Sequence, residues 1–209
     1  DAGNDTLIAG WMGAANLFGG DGDDTMYGNN DANVMGGGAG NDYISAGSGD
    51  DTVYGDAGND RLYGSYGNDR MFGGDGDDDI HGGSGNDYIR GGAGVDVVYG
   101  EYGNDTLYGD ADTDVIYGGA GADLIRGGDG RDYLYGQDGN DSIYGDDGYD
   151  YLFGQNGDDY LNGGHDGYFD YLSGGAGADR FEKHGSFWWF NEEYDNYRDV
   201  IGSQGDRIV

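Results

Sequence analysis

Gly82–Arg90 reads GGSGNDYIR and Gly127–Tyr135 reads GGDGRDYLY, one nine-residue phrase in which only the variable positions change. Its form is Gly-Gly-x-Gly-x-Asp-x-apolar-x. Outward from these two copies, aspartate or asparagine recurs every nine residues: Asp24, Asn33, Asp42, Asp51, Asp60, Asp69, Asp78, Asp87, Asp96, Asp105, Asp114, Asp123, Asp132, Asp141, Asp150 and Asp159. After small insertions the frame resumes at Asp170 and Asp179. Two residues beyond each of these eighteen stands an apolar side chain, from Met26 and Met35 through Leu172 to Phe181. Five residues before it, glycine gives way only at Ala46 and His165; two residues before it, only at Asp31, Asp112 and Tyr168. An imperfect copy carries Asp5 and Leu7, then Ala15 and Leu17. A fixed short period of this kind marks a solenoid.

Elementary stereochemistry turns the phrase into a coil. Glycine reaches positive φ at no steric cost, so the first six residues are expected to form a tight turn. The last three, polar-apolar-polar, read as a short strand with one side chain inward and two outward. Two nonapeptides then close a coil of eighteen residues, and successive repeats fall on opposite edges. The expected fold is all-β: a parallel β-roll, or β-solenoid, of two facing short-strand parallel sheets, with about ten coils in a rod ~50 Å long.

Composition narrows the partners. Of 209 residues 50 are glycine, without the every-third spacing of collagen, and there is no proline or cysteine. Forty-two acidic residues face nine basic ones, a formal charge of −33. Acidity of this kind suits a disordered polyanion, but the regular apolar positions and 14% aromatic content speak against disorder in every condition. Nucleic acid and anionic membrane surfaces would add repulsion, which leaves cations as the natural partners. Without cysteine there are no disulfides and no thiolate metal sites. Neither a charged-then-apolar leader nor an apolar run near ~18 residues occurs, so no classical signal peptide and no membrane span is expected.

Eighteen copies in near-perfect register, from residue 1 to about 182, resemble the repeats-in-toxin (RTX) nonapeptide of hemolysin-type calcium-binding proteins. The resemblance implies one calcium ion between equivalent turns of neighbouring coils. Physics agrees, because carboxylates stacked at coil spacing repel strongly without a cation between them. Calcium takes six to eight oxygens and accepts backbone carbonyls, whereas magnesium demands a near-octahedral shell and holds its water. The expected ligands are Asp24, Asp42, Asp60, Asp78, Asp96, Asp114, Asp132 and Asp150 on one edge. On the other they are Asn33, Asp51, Asp69, Asp87, Asp105, Asp123, Asp141 and Asp159. Seven gaps per edge hold fourteen Ca2+, and +28 against −33 nearly balances the chain.

Departures from the frame carry their own expectations. Asn33 should hold a weaker site through its carbonyl, and Ala15 none. Asp31 and Asp112 read as tolerated drift in their turns. An insertion at His165–Tyr168 should bulge out and interrupt the edge after Asp159, so Asp170 and Asp179 stand outside the predicted set. Outward strand positions place Tyr63, Tyr99, Tyr117, Tyr135 and Phe153 on one face and Tyr54, Phe72, Tyr108 and Tyr144 on the other, as stacked ladders. Residues 1–182 are therefore read as the roll, and residues 183–209, with Phe187, Trp188, Trp189 and Phe190, as an aromatic C-terminal cap for the last coil.

No catalytic or cofactor-binding constellation emerges: His81, His165 and His184 are dispersed, and no HExxH or GxSxG occurs, so no enzyme is expected. The expected function is a secreted, extracellular calcium-binding structural module of a bacterial surface or matrix that folds on binding its ions. Head-to-tail self-association into filaments would follow from an open first coil. The closing GDRIV is similar to the tails of RTX exoproteins, which implies a second reading as the type I secretion and folding module of a larger exoprotein. A third is an adhesive rod that binds polysaccharide through the tyrosine ladders.

Overall fold

A computed structural model describes residues 2–182 apart from residue 166. The expected cap at 183–209, with its aromatic cluster, lies outside the described residues. Strands follow one another as β1 (Thr6–Ile8), β2 (Asn16–Asp21), β3 (Thr25–Tyr27), β4 (Val34–Ala39), β5 (Tyr43–Ser48), β6 (Thr52–Ala57) and β7 (Arg61–Tyr66). Next come β8 (Arg70–Asp75), β9 (Asp79–Ser84), β10 (Tyr88–Ala93), β11 (Val97–Tyr102), β12 (Thr106–Ala111), β13 (Val115–Ala120) and β14 (Leu124–Gly130). The series ends with β15 (Tyr133–Asp138), β16 (Ser142–Gly148), β17 (Tyr151–Asn156), β18 (Tyr160–Asn162), β19 (Tyr171–Ala176) and β20 (Arg180–Glu182). Odd-numbered strands form one ten-stranded parallel sheet and even-numbered strands another. Through the body of the roll the register advances by one coil of eighteen residues, as in Ile89↔Leu107 and Val98↔Ile116. The roll read from the sequence is the roll observed.

Strand length differs from expectation. Most strands run six residues rather than three, continuing through both glycines of the next phrase and the residue after them, as in Tyr-Ile-Arg-Gly-Gly-Ala of β10. The turn shrinks to three residues, such as Gly85-Asn86-Asp87. The reason lies in what the glycines do. Gly91, the first of its phrase, is not at positive φ. Its side-chain direction is occupied, since a Cβ would lie 2.3 Å from Asp96 Oδ2 and 2.8 Å from the Gly109 carbonyl. This glycine makes space within a strand and bends nothing. The turn glycine is the conformational one: Gly103 holds φ +137°, and a Cβ would meet the Gly85 oxygen at 1.6 Å. Backbone pairing continues around the turn, with Gly85 N–H donating to Tyr102 O and Tyr88 N–H to Asp69 O. Cross-coil pairing is thus kept on both sides of the bend.

Each strand sends one large apolar side chain inward. Met26, Met35, Ile44, Val53, Leu62 and their successors through Leu172 are buried, with Leu7, Leu17 and Phe181 partly so. The core is two apolar side chains thick, one column from each sheet. Of the two substituted turn positions, Asp112 keeps the left-handed conformation at φ +76°. Asp31 leaves it, and its N–H instead donates to Asn29 Oδ1 at 2.8 Å. The insertion bulges as expected, since β18 stops at Asn162 and no strand occurs among the described residues of 163–170. It does not break the aspartate columns: the register resumes with Tyr151↔Tyr171 and Tyr160↔Arg180. Asp150 N–H reaches Asp170 Oδ1 at 3.1 Å, and Asp159 N–H reaches Asp179 Oδ1 at 2.9 Å. Two extra residues loop outward, and the coil closes behind them.

The outer faces are unequal. On the odd sheet Tyr63, His81, Tyr99, Tyr117, Tyr135 and Phe153 stack without a gap, at centroid spacings of 4.5 to 5.0 Å. His81 fills the coil that the tyrosine count leaves open. On the even sheet only Tyr54 and Phe72 stack face to face, at 5.1 Å. Arg90 and Arg126 interrupt the expected column there, each over the next tyrosine and each forked onto an aspartate, Asp110 or Asp146.

Gly103→Ala places a methyl against a backbone oxygen at a φ that L-residues avoid. It is expected to destabilise the calcium-saturated roll by about 3 kcal/mol or more. Ser45→Ala, on an outward position, should shift the melting temperature by no more than about a degree or two. Thermal unfolding followed by circular dichroism compares them, and equal melting temperatures would refute the steric assignment.

Candidate calcium sites

The residue that closes each turn is the aspartate, and its side chain turns inward at the edge of the core. From Asp24 to Asp159 these carboxylates are at most 3% exposed. The three-residue turn forces this, because the aspartate directly precedes a strand whose next inward residue is the core apolar side chain. One oxygen has a fixed partner. Oδ1 of each aspartate accepts the backbone N–H of the equivalent residue one coil earlier, as from Asp42 to Asp60 at 2.7 Å and from Asp69 to Asp87 at 2.8 Å. Every coil is thereby pinned to its neighbour through a charge-assisted bond.

The second oxygen has none. Oδ2 is buried and accepts no hydrogen bond at Asp24, Asp42, Asp51, Asp60, Asp69, Asp78 or Asp87. The same holds at Asp96, Asp105, Asp114, Asp123, Asp132, Asp141 and Asp159. What it meets is another acceptor. The side-chain direction of Gly55 lies 2.3 Å from Asp60 Oδ2 and 2.5 Å from the Gly73 carbonyl. At Gly100 the corresponding distances, to Asp105 Oδ2 and Gly118 O, are both 2.5 Å. A carboxylate oxygen and a carbonyl oxygen thus converge on most of the glycine notches. Buried acceptors are normally satisfied, and an oxygen pair of this kind suits a hard cation. A Cβ would fill the notch, which is why the first glycine of the phrase is invariant in the middle of the roll.

Electrostatics point the same way. Burial pushes these carboxyls upward against the pull of the backbone N–H. Asp60, Asp69, Asp78, Asp105 and Asp141 rise to about 7 and Asp114 to about 8. Asp87, Asp96, Asp132 and Asp159 rise to about 6. Repulsion from aspartates one coil away adds to the rise at Asp114, which faces Asp96 and Asp132. Among the described residues no three His, Cys, Asp or Glu side chains form a metal cluster. Any ion on these columns therefore draws most of its ligands from backbone carbonyls, as calcium does and softer metals do not.

All sixteen residues singled out from the spacing fall on the two inner edge columns. Asn33 differs in kind: its Oδ1 accepts Ala15 N–H at 3.1 Å, and its Nδ2 donates to Asp31 O and Asp51 Oδ1. A donor stands where the aspartates offer a second oxygen. Ala15 contributes no side-chain ligand.

A second column was not read from the sequence. The variable residue before each aspartate is often Asn or Asp, and its Oδ1 accepts the N–H of the equivalent residue one coil later. Asn41 takes it from Asn59, Asn68 from Asn86, and Asn104 from Ala122, at 2.7 to 2.8 Å. The inner and outer columns run in opposite directions along the rod. Adjacent N–H groups of one turn therefore bond to the coils above and below. The excess of Asn and Asp at this position was the available signal.

Comparison with known proteins agrees with the geometry. The model of the RTX calcium-binding nonapeptide repeat matches in overlapping copies from residue 13 to 165, and again over 166–182. No curated protein matches the chain. A family model that covers most of the chain, on a roll whose every turn follows the phrase, places this protein in the RTX calcium-binding nonapeptide repeat family.

Proposed function

We propose that the chain is a calcium-folded structural module, secreted and extracellular, in which the two inner aspartate columns are the metal sites. The observation that carries this reading is the series of buried Oδ2 atoms that accept no hydrogen bond, most of them beside a backbone carbonyl at a glycine notch. Calcium bound there supplies the positive charge that lets neighbouring carboxylates stay ionised inside the roll. The chain's own residues do the rest: Oδ1 holds the next coil, the glycine notch keeps the space open, and the apolar columns exclude water. Asn33 offers one oxygen fewer and marks the weakest of the sixteen positions. One ion per gap along the two columns gives about fourteen per chain. A fluid of millimolar calcium outside the cell fits such a device, since the chain stays unfolded while calcium is scarce and folds after export.

Folding should therefore follow the ion. In excess chelator at pH 8 the far-ultraviolet circular dichroism should lose most of its β signal, and calcium should restore it cooperatively. A full β signal in chelator would defeat the proposal. Calorimetric titration should count about fourteen ions, Asp105→Asn should raise the calcium midpoint several-fold, and outward Asp75→Asn should leave it unchanged.

Protons should act as a partial substitute. Folded pKa values of about 6 to 8 lie above the ordinary carboxylate value of 3.8. The neutral form therefore favours the metal-free roll, a contribution present below about pH 4 and lost as pH rises through 6 to 8. Metal-free chain should gain β signal between pH 8 and pH 5, and apparent calcium affinity should fall over the same interval. A metal-free spectrum indifferent to pH would contradict the buried placement.

A further inference from the structure

The odd sheet carries a groove that calcium binding does not use. Beside the stacked ring column run two adjoining hollows of 400 and 550 Å3, which share Glu101 and Tyr102. Their floor and outer wall come from the two residues that end each strand, and these alternate from coil to coil. Ser65–Tyr66, Glu101–Tyr102 and Gln137–Asp138 project side chains. The intervening coils, Gly83–Ser84 and Gly119–Ala120, are nearly bare. The alternation starts from bare Gly47–Ser48 and ends where Gln155–Asn156 follows directly on Gln137–Asp138.

Two consequences follow from this two-coil repeat. Tyr66 and Tyr102 are 67% and 66% exposed, and Ser84 and Ala120 are too small to cover their faces. The inner ring column is the opposite case: Tyr99, Tyr117 and Tyr135 lie within 11° of parallel and cover one another. Of that column only Tyr63 and His81 reach the lining of the groove. A ligand thus meets an open aromatic face at about twice the ~4.8 Å coil spacing. In an extended β-1,4-linked hexopyranose chain each sugar rises by about one such step and flips relative to the last. Every second residue then turns the same face outward, matching Tyr66 and Tyr102.

Charge selects among such chains. Glu101 and Asp138 stand two coils apart on the groove, no lysine or arginine lines it, and its one histidine, His81, is engaged by Glu101 and Asp79. The carboxylates of Glu101 and Asp138, with no lysine or arginine beside them, repel a uronate or sulfated chain. Ammonium groups meet carboxylates at Glu101 and Asp138 and an open π-face at Tyr102. We propose that this groove binds a linear β-1,4-linked amino-sugar polysaccharide along the axis of the rod.

The test is calorimetry on the calcium-saturated full chain with the β-1,4-linked glucosamine hexamer, alongside cellohexaose and a hyaluronan hexasaccharide. Saturable binding of the glucosamine hexamer is expected, weaker binding of cellohexaose, and none of hyaluronan. Tyr102→Ala should weaken the glucosamine hexamer about tenfold, and Glu101→Gln by up to about fivefold. Tyr54→Ala on the opposite sheet should change it by less than about twofold. Circular dichroism in calcium verifies that each variant keeps the roll. The proposal is overturned by absence of binding, by affinity indifferent to Tyr102 and Glu101 (attraction to a polyanion alone), or by cellohexaose or hyaluronan binding as tightly.

Discussion

Through the body of the roll each coil buries a carboxylate whose second oxygen lies beside a backbone carbonyl, and the rest of the structure is arranged around that contact. Two acceptors facing each other in a space without water cost several kcal/mol unless a proton or a cation intervenes. The upward displacement of Asp60, Asp105 and Asp114 expresses the same conflict in the language of protons. Repeated along two edges in a chain of −33 charge, it underlies the proposal that the stability of the roll depends on its ions. A core only two side chains thick has little reserve with which to ignore them.

Glycine serves this arrangement in two distinct ways. The first glycine of the phrase lies inside a strand and keeps open the notch where Asp Oδ2 and the carbonyl meet. The turn glycine, as at Gly103, sits under the carbonyl of the preceding coil at a φ closed to other residues. The second glycine is the expendable one: Asp56, Ser65, Glu101 and Gln137 occupy its place at φ of 73° to 80°. That tolerance lets outward chemistry vary while the inner columns stay constant. The groove on the odd sheet is built largely from this freedom.

The two faces put the freedom to different uses. On the even sheet, Arg90 and Arg126 sit over the tyrosines that follow them and are forked onto Asp110 and Asp146. That surface satisfies itself. On the odd sheet, rings cover rings along one wall while Tyr66 and Tyr102 stay open along the other. A surface that leaves aromatic faces and carboxylates at a regular spacing has room for a repeating partner.

The sequence by itself determined the period, the two sheets, the identity of the inward apolar residues and the membership of both aspartate columns as far as Asp159. All of these follow from strict nine-residue spacing and the alternation of side chains along a strand. It misjudged the strand length, because a glycine required for space is indistinguishable in a sequence from one required for φ. It also left the residue before each aspartate as variable, since its hydrogen bond runs to a coil eighteen residues away. Tertiary structure alone decided that one carboxylate oxygen is committed and the other is not, and that the columns continue past the bulge at residues 163–170. It alone showed that His81 completes a ring stack and that Tyr66 and Tyr102 face an open groove. Each of these depends on distances between successive coils, and a one-dimensional pattern fixes which residues stack without fixing what their atoms face.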